Sequence, residues 1–202
     1  EWNESNFDVN AIPYIREAYA ARKYAFVSDY ARFVILYEHG GLYFDTDVEI
    51  IRPLDDIIER GAFMGCETDG DAGTVTVAPG LGLGTPAGSP LYKELLNLYA
   101  GLHFVDNQGK QNLKTVVEYT TEILRSHGLK DVTGIQQIAG TFIYPTAYFC
   151  PVSVTDGKLR IVPETRTIHH YAQSWQSPWR KYGRKLVLTL CGKKAKNRLK
   201  HW

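Results

Sequence analysis

Three cysteines are all that this 202-residue chain holds, Cys66, Cys150 and Cys191, and they lie too far apart to form a C-x-x-C pair. That spacing argues against a disulfide framework and a zinc knuckle and fits a reducing compartment. Long apolar runs are missing too: nothing approaches the roughly 18 uninterrupted apolar residues of a membrane span. No signal peptide is legible in the opening residues, which start at Glu1 rather than Met. Negative charge stops at Glu164. Beyond it the chain carries ten Lys or Arg and no acid, which leaves thirteen of the 23 basic residues against all 22 acidic ones in the preceding part. The net charge of +1 therefore hides an acidic body and a basic tail. Because the net positive charge is confined to the tail and the body is acidic, a nucleic-acid partner is disfavoured.

What is present is the composition of an ordinary globular domain, 44% hydrophobic and 22% charged, on a chain long enough for one substantial core. The pattern predicts a helix over about 11–23 with Pro13 in its first turn, and a stronger one over 25–39. The second is apolar nearly all round, and Gly40-Gly41 stops it. Strands are expected at 42–44, 48–51, 62–66, 74–78, 142–144 and 159–162, and helices at 90–102 and 112–127. The glycine-rich stretch 80–88 reads as a loop that lets backbone approach something closely. Helices and strands intermingle without an internal repeat, so the fold class is mixed α/β. One domain over 1–183 is expected, followed by a basic, partly amphipathic helix over 184–202.

The chemistry concentrates in residues 27–55. Asp45 and Asp47 follow the strand 42–44, where a spacing of two puts side chains on one side, so both carboxylates can face one hard divalent cation. An Asp-x-Asp pair is common in exposed turns, and Asp69-Gly70-Asp71, set among Gly, Thr and Ala, reads as such a solvated turn. Asp45 and Asp47 differ because a buried helix and a strand aim them. Burying two like charges without a cation or donors is costly. Asp29 and Arg32, three apart on the helix, share a face. They form a structural ion pair, or Arg32 offers its fork to phosphate or sugar oxygens while Asp29 accepts from sugar hydroxyls, and the two readings are compatible.

The run Ser28-Asp29-Tyr30-Ala31-Arg32, then Leu36-Tyr37-Glu38-His39-Gly40-Gly41-Leu42-Tyr43-Phe44-Asp45-Thr46-Asp47-Val48, resembles the DXD-containing glycosyltransferases with a sugar-binding region. These are the family-32-like relatives of initiating α-mannosyltransferases and capsular polysaccharide glycosyltransferases. Ala62 to Glu67 resembles the next strand of that family, and His169-His170-Tyr171-Ala172-Gln173-Ser174-Trp175 its closing segment. The resemblance implies a GT-A-like fold with a Rossmann-type nucleotide-binding sheet, whose usual first N-terminal strand has no counterpart in this sequence. It implies a hexosyltransferase that needs Mn2+ or Mg2+, takes a UDP- or GDP-sugar donor, and transfers to a saccharide or lipid-linked acceptor with retention of configuration, as in polysaccharide biosynthesis.

Carried over, Asp45 contacts donor ribose and metal, Asp47 ligates the metal, Asp29 and Arg32 hold the donor sugar, and Tyr43 lines the pocket. His170 is the candidate third ligand, with His169 its main competitor, and Ser174 and Trp175 stand near the diphosphate. No nucleophile or base is nominated. Residues 68–88 and the helix 112–127 are placed on the acceptor side. The expected location is cytoplasmic, with 184–202 a candidate for peripheral contact with the inner membrane face through its Lys and Arg. Two competing readings stand beside this one. One is a sugar-nucleotide-binding pseudoenzyme without turnover. The other is a haloacid-dehalogenase-like phosphatase, which Glu49 and the long preceding helix disfavour.

Overall fold

Residues with positive φ mark several of the turns between elements, among them Arg22, Gly61 and the pair Ala139-Gly140. The computed structural model describes residues 2–152 and 157–171. Helix α1 (Pro13–Ala20) starts on a proline, which costs nothing there because first-turn amides have no helical acceptor. It is shorter than expected, since the chain reverses at Arg22, φ 57°. Helix α2 (Tyr24–His39) buries Val27, Tyr30, Phe33 and Leu36, residues three apart on one face. Its other faces are only partly covered, so the all-round apolar pattern overstated its burial. Gly40 ends it at φ 68°, and a side chain there would also meet the Ala87 backbone amide at 2.7 Å.

There follow β1 (Gly41–Tyr43), β2 (Val48–Ile50), α3 (Asp55–Arg60), β3 (Phe63–Thr68), β4 (Thr76–Val77) and β5 (Leu83–Thr85). The chain continues with α4 (Pro90–Ala100), α5 (Val116–Ser126), β6 (Gln136–Ile138), β7 (Thr141–Tyr144), α6 (Thr146–Phe149) and β8 (Thr167–His169). The main sheet runs β1-β5-β3-β7-β6, with β4 also beside β3. Among the described residues only β3 and β7 pair in parallel. This mixed α/β arrangement with a mixed sheet is compatible with a GT-A-like domain. β2 and β8 form a separate antiparallel ribbon. The expected strand at 159–162 is only an isolated bridge from Leu159 to Val152.

β3 is buried on both sides, and its residues alternate as a strand must. Met64 and Cys66 join the main core with Phe33, Tyr92, Tyr99 and Phe104 from the helical side. Phe63 turns the other way to stack on Phe149, ring centroids 5.5 Å apart. Apart from Tyr171 the described residues belong to one unit, Glu1–His170; a second is Tyr171–Trp202. The expected boundary at 183 and the basic helix 184–202 lie outside the described residues.

Candidate active site

Asp45 and Asp47 do converge, but through a turn and not through strand alternation. β1 ends at Tyr43, and the Val48 amide donates to the Asp45 carbonyl at 3.0 Å, closing a four-residue turn that carries both carboxylates. The third member of the group comes from far along the chain. β2 pairs with β8 so that Val48 stands opposite His169, and the His169 Nε2 lies 3.1 Å from Asp47 Oδ1 and 3.8 Å from Asp45 Oδ2. One ligand atom from each of the three lies within 4.8 Å of the others. The approach to β8 is braced by Arg52, whose guanidinium donates to the carbonyls of Val162 and Thr165 at 3.1 and 2.7 Å.

His170 is not part of this group. Successive strand side chains point to opposite faces, so when His169 turns inward, His170 turns out, where its Nε2 meets Glu49 Oε2 at 2.9 Å. Both partners of that pair are more than half exposed. The backbone of His170 does help, donating to the Asp47 carbonyl at 3.0 Å. Ser174 and Trp175 lie outside the described residues.

Behind the carboxylates runs a chain of charge. Arg32, 5% exposed, donates from Nη2 to Asp29 Oδ1 at 2.7 Å and points Nη1 at Asp45 Oδ1, 3.5 Å away. Its guanidinium carbon lies 4.5 Å from the centre of the Tyr43 ring, and the Tyr43 hydroxyl donates to the same Asp45 oxygen at 2.9 Å. Arg32 is thus committed to two carboxylates and an aromatic face, the ion-pair reading of the helix. The Asp29 carboxyl is raised to about 6, the outcome of burial pushing it up, Arg32 pulling it part of the way back and Asp45 pushing it up further. Burial also opposes charge on Asp45, but His169, Arg32 and Tyr43 together outweigh it and hold that carboxyl below the ordinary range. Burial pushes the Tyr43 phenol up, so it stays a donor.

Two features were read differently from sequence. Asp69 is 7% exposed and no solvated turn residue. Its Oδ2 accepts from the Thr146 amide at 3.0 Å and the Thr146 hydroxyl at 2.6 Å, pinning α6. The stretch 80–88 is not all loop, since β5 lies in it between β1 and β3. Position 84 has to be glycine for that packing, because the Phe63 ring occupies the space a side chain would take.

Residues 2–64 match the family model of the glycosyltransferase sugar-binding region containing a DXD motif. The match runs from before α1 into β3 and takes in Asp29, Arg32, Tyr43, Asp45 and Asp47, while His169 lies outside it. It supports glycosyl transfer as the kind of chemistry and a nucleotide-sugar donor with an acceptor as the kind of partners. No curated protein and no solved structure matches the chain. Among the described residues no helix is long and apolar enough to cross a membrane. The Asp pair follows a long helix and an edge strand that is antiparallel to β5. The 16-residue helix α2 ahead of that strand is the feature that disfavours the phosphatase reading.

Proposed function

We propose that this chain is a metal-dependent, retaining hexosyltransferase of GT-A-like, Rossmann-type design, taking a UDP- or GDP-sugar and transferring to a saccharide or lipid-linked acceptor. The observation that carries the reading is the meeting of Asp45, Asp47 and His169 beside the buried Asp29–Arg32 pair. Two carboxylates and an imidazole suit a hard-to-borderline divalent ion such as Mn2+ or Mg2+. The 3.1 Å between Asp47 Oδ1 and His169 Nε2 suits adjacent ligands of one such ion, whose bonds are about 2.1 Å. When bound, the ion would neutralise charge gathering on the departing nucleoside diphosphate, Lewis-acid help worth several kcal/mol.

The protein's own part is orientation. Arg32 and Tyr43 hold one oxygen of Asp45, which leaves the other for the cation. Asp29, the far member of the same charge chain, is the acceptor for donor sugar hydroxyls. His169 takes the place first given to His170. Attack by the acceptor hydroxyl on the same face as the leaving phosphate needs no protein nucleophile, and none is assigned. The basic residues of 184–202 would favour an acceptor at an anionic lipid surface on the cytoplasmic side.

Titration calorimetry with UDP and GDP, with and without Mn2+, tests the proposal. Expected are metal-dependent binding of one nucleotide, its loss by about tenfold or more in Asp47→Asn, and slow hydrolysis of the matching nucleotide sugar. Binding without any hydrolysis would favour the pseudoenzyme reading. Affinity that is indifferent to Mn2+ and to Asp47→Asn would overturn the site assignment.

A further inference from the structure

Gly80 stands directly behind the Asp45 carboxylate. Its carbonyl accepts from the Asp45 amide at 2.9 Å. A Cβ built on Gly80 would overlap Asp45 Oδ2 and come within 2.7 Å of Cγ. The φ of Gly80 lies outside the left-handed region, so its own backbone does not call for glycine. The space taken by Asp45 does. Retreat by rotation is closed to the carboxylate, because Oδ1 is held by the Tyr43 hydroxyl and faces Arg32. The oxygen that rests on Gly80 is the one turned toward His169.

We propose that Gly80 is a positioning residue of the cation site, its missing side chain setting the direction in which Asp45 presents Oδ2. The inference rests on the reading of Asp45, Asp47 and His169 as cation ligands. It adds that the tip of the glycine-rich segment supports the carboxylate from behind. A single methyl there changes no charge and removes no ligand, yet it has to displace Asp45 from Tyr43 and Arg32 or from the cation. The three heavy atoms nearest that methyl all belong to Asp45.

The test combines Mn2+ binding, read as loss of the free-ion electron paramagnetic resonance signal, with thermal unfolding in metal-free buffer. The proteins are the full chain, Gly80→Ala, Asp45→Ala and the double variant. Expected is Mn2+ affinity weakened by about tenfold in Gly80→Ala, with a lowered unfolding midpoint. In the Asp45→Ala background the same methyl leaves the midpoint unchanged, because the overlapping group is gone. No Mn2+ binding by the unsubstituted chain overturns the cation reading itself. Normal binding by that chain and equal binding by Gly80→Ala overturns the positioning role alone. So does a midpoint penalty that is just as large without the Asp45 carboxylate. If Gly80→Ala by itself does not fold, folding of the double variant supports the proposal and its failure to fold overturns it.

Discussion

Arg32 shows how much one residue can organise when it is buried with nowhere else to place its charge. Its two carboxylate partners respond in opposite senses. Asp29 has its pKa raised from 3.8 to about 6, chiefly by burial. The folded protein therefore holds that proton more tightly than the unfolded chain does, and the contribution of Asp29 to stability falls as pH rises from about 4 through 6. Asp45 has its pKa lowered. Its contribution is present above the ordinary carboxylate range and is lost as pH falls below it. Metal-free denaturation of the wild type and of Asp29→Asn between pH 4 and 7 separates them. The variant is expected to gain on the wild type as pH rises through 6, by an amount on the order of 2–3 kcal/mol, two pKa units at 1.4 kcal/mol each. A gap independent of pH would mean that Asp29 is not the buried carboxyl described. Sequence spacing alone put Asp29 and Arg32 on one face. That Arg32 also reaches Asp45 was not legible, because it depends on where β1 leaves the helix.

At the scale of elements, the glycine stop of α2 was read from the sequence, whereas the start of α5 and the packing that makes β5 were not. Thr115 and Glu118 form a complete capping box, the Glu118 side chain accepting from the Thr115 amide at 2.8 Å and Thr115 Oγ1 from the Glu118 amide at 3.3 Å. That box explains why α5 starts at Val116 and not at 112. Thr115→Ala is expected to cost about 1 kcal/mol, read as a lower denaturant midpoint at constant slope; no change would deny the cap its role. β5 was missed because Gly82 and Gly84 argue for a loop, whereas the Phe63 ring over Gly84 makes a strand of it. The turn at 45–48 was read as an extension of the strand. Both readings aim the carboxylates together, which is why the pair converges although the reason given for it was wrong. Asp69 was taken for solvated because nothing in the sequence announces that Thr146, far along the chain, donates to it twice.

At the scale of the whole molecule, the mixed α/β class was legible from interspersed periodicities, and the sheet order was not. Strand pairing depends on contacts between distant residues, such as Phe63 with Phe142 across β3 and β7. The candidate cation site has the same character. Asp45 and Asp47 were visible as a pair, but the imidazole beside them is delivered by the β2–β8 ribbon, whose register puts His169 and not His170 on the inner side. Aromatic packing among Tyr14, Phe33, Tyr92, Tyr99 and Phe104 fixes α1, α2 and α4 against one another, and α2 in turn carries Asp29 and Arg32.

The claim that these distant parts make one cation site is tested most directly by Mn2+ titration of His169→Ala and His170→Ala side by side. Affinity is expected to drop by about tenfold or more in His169→Ala and to stay within about twofold of the unsubstituted chain in His170→Ala, whose imidazole is engaged with Glu49 on the other face. The reverse order, or equal affinity in both variants, would contradict the account.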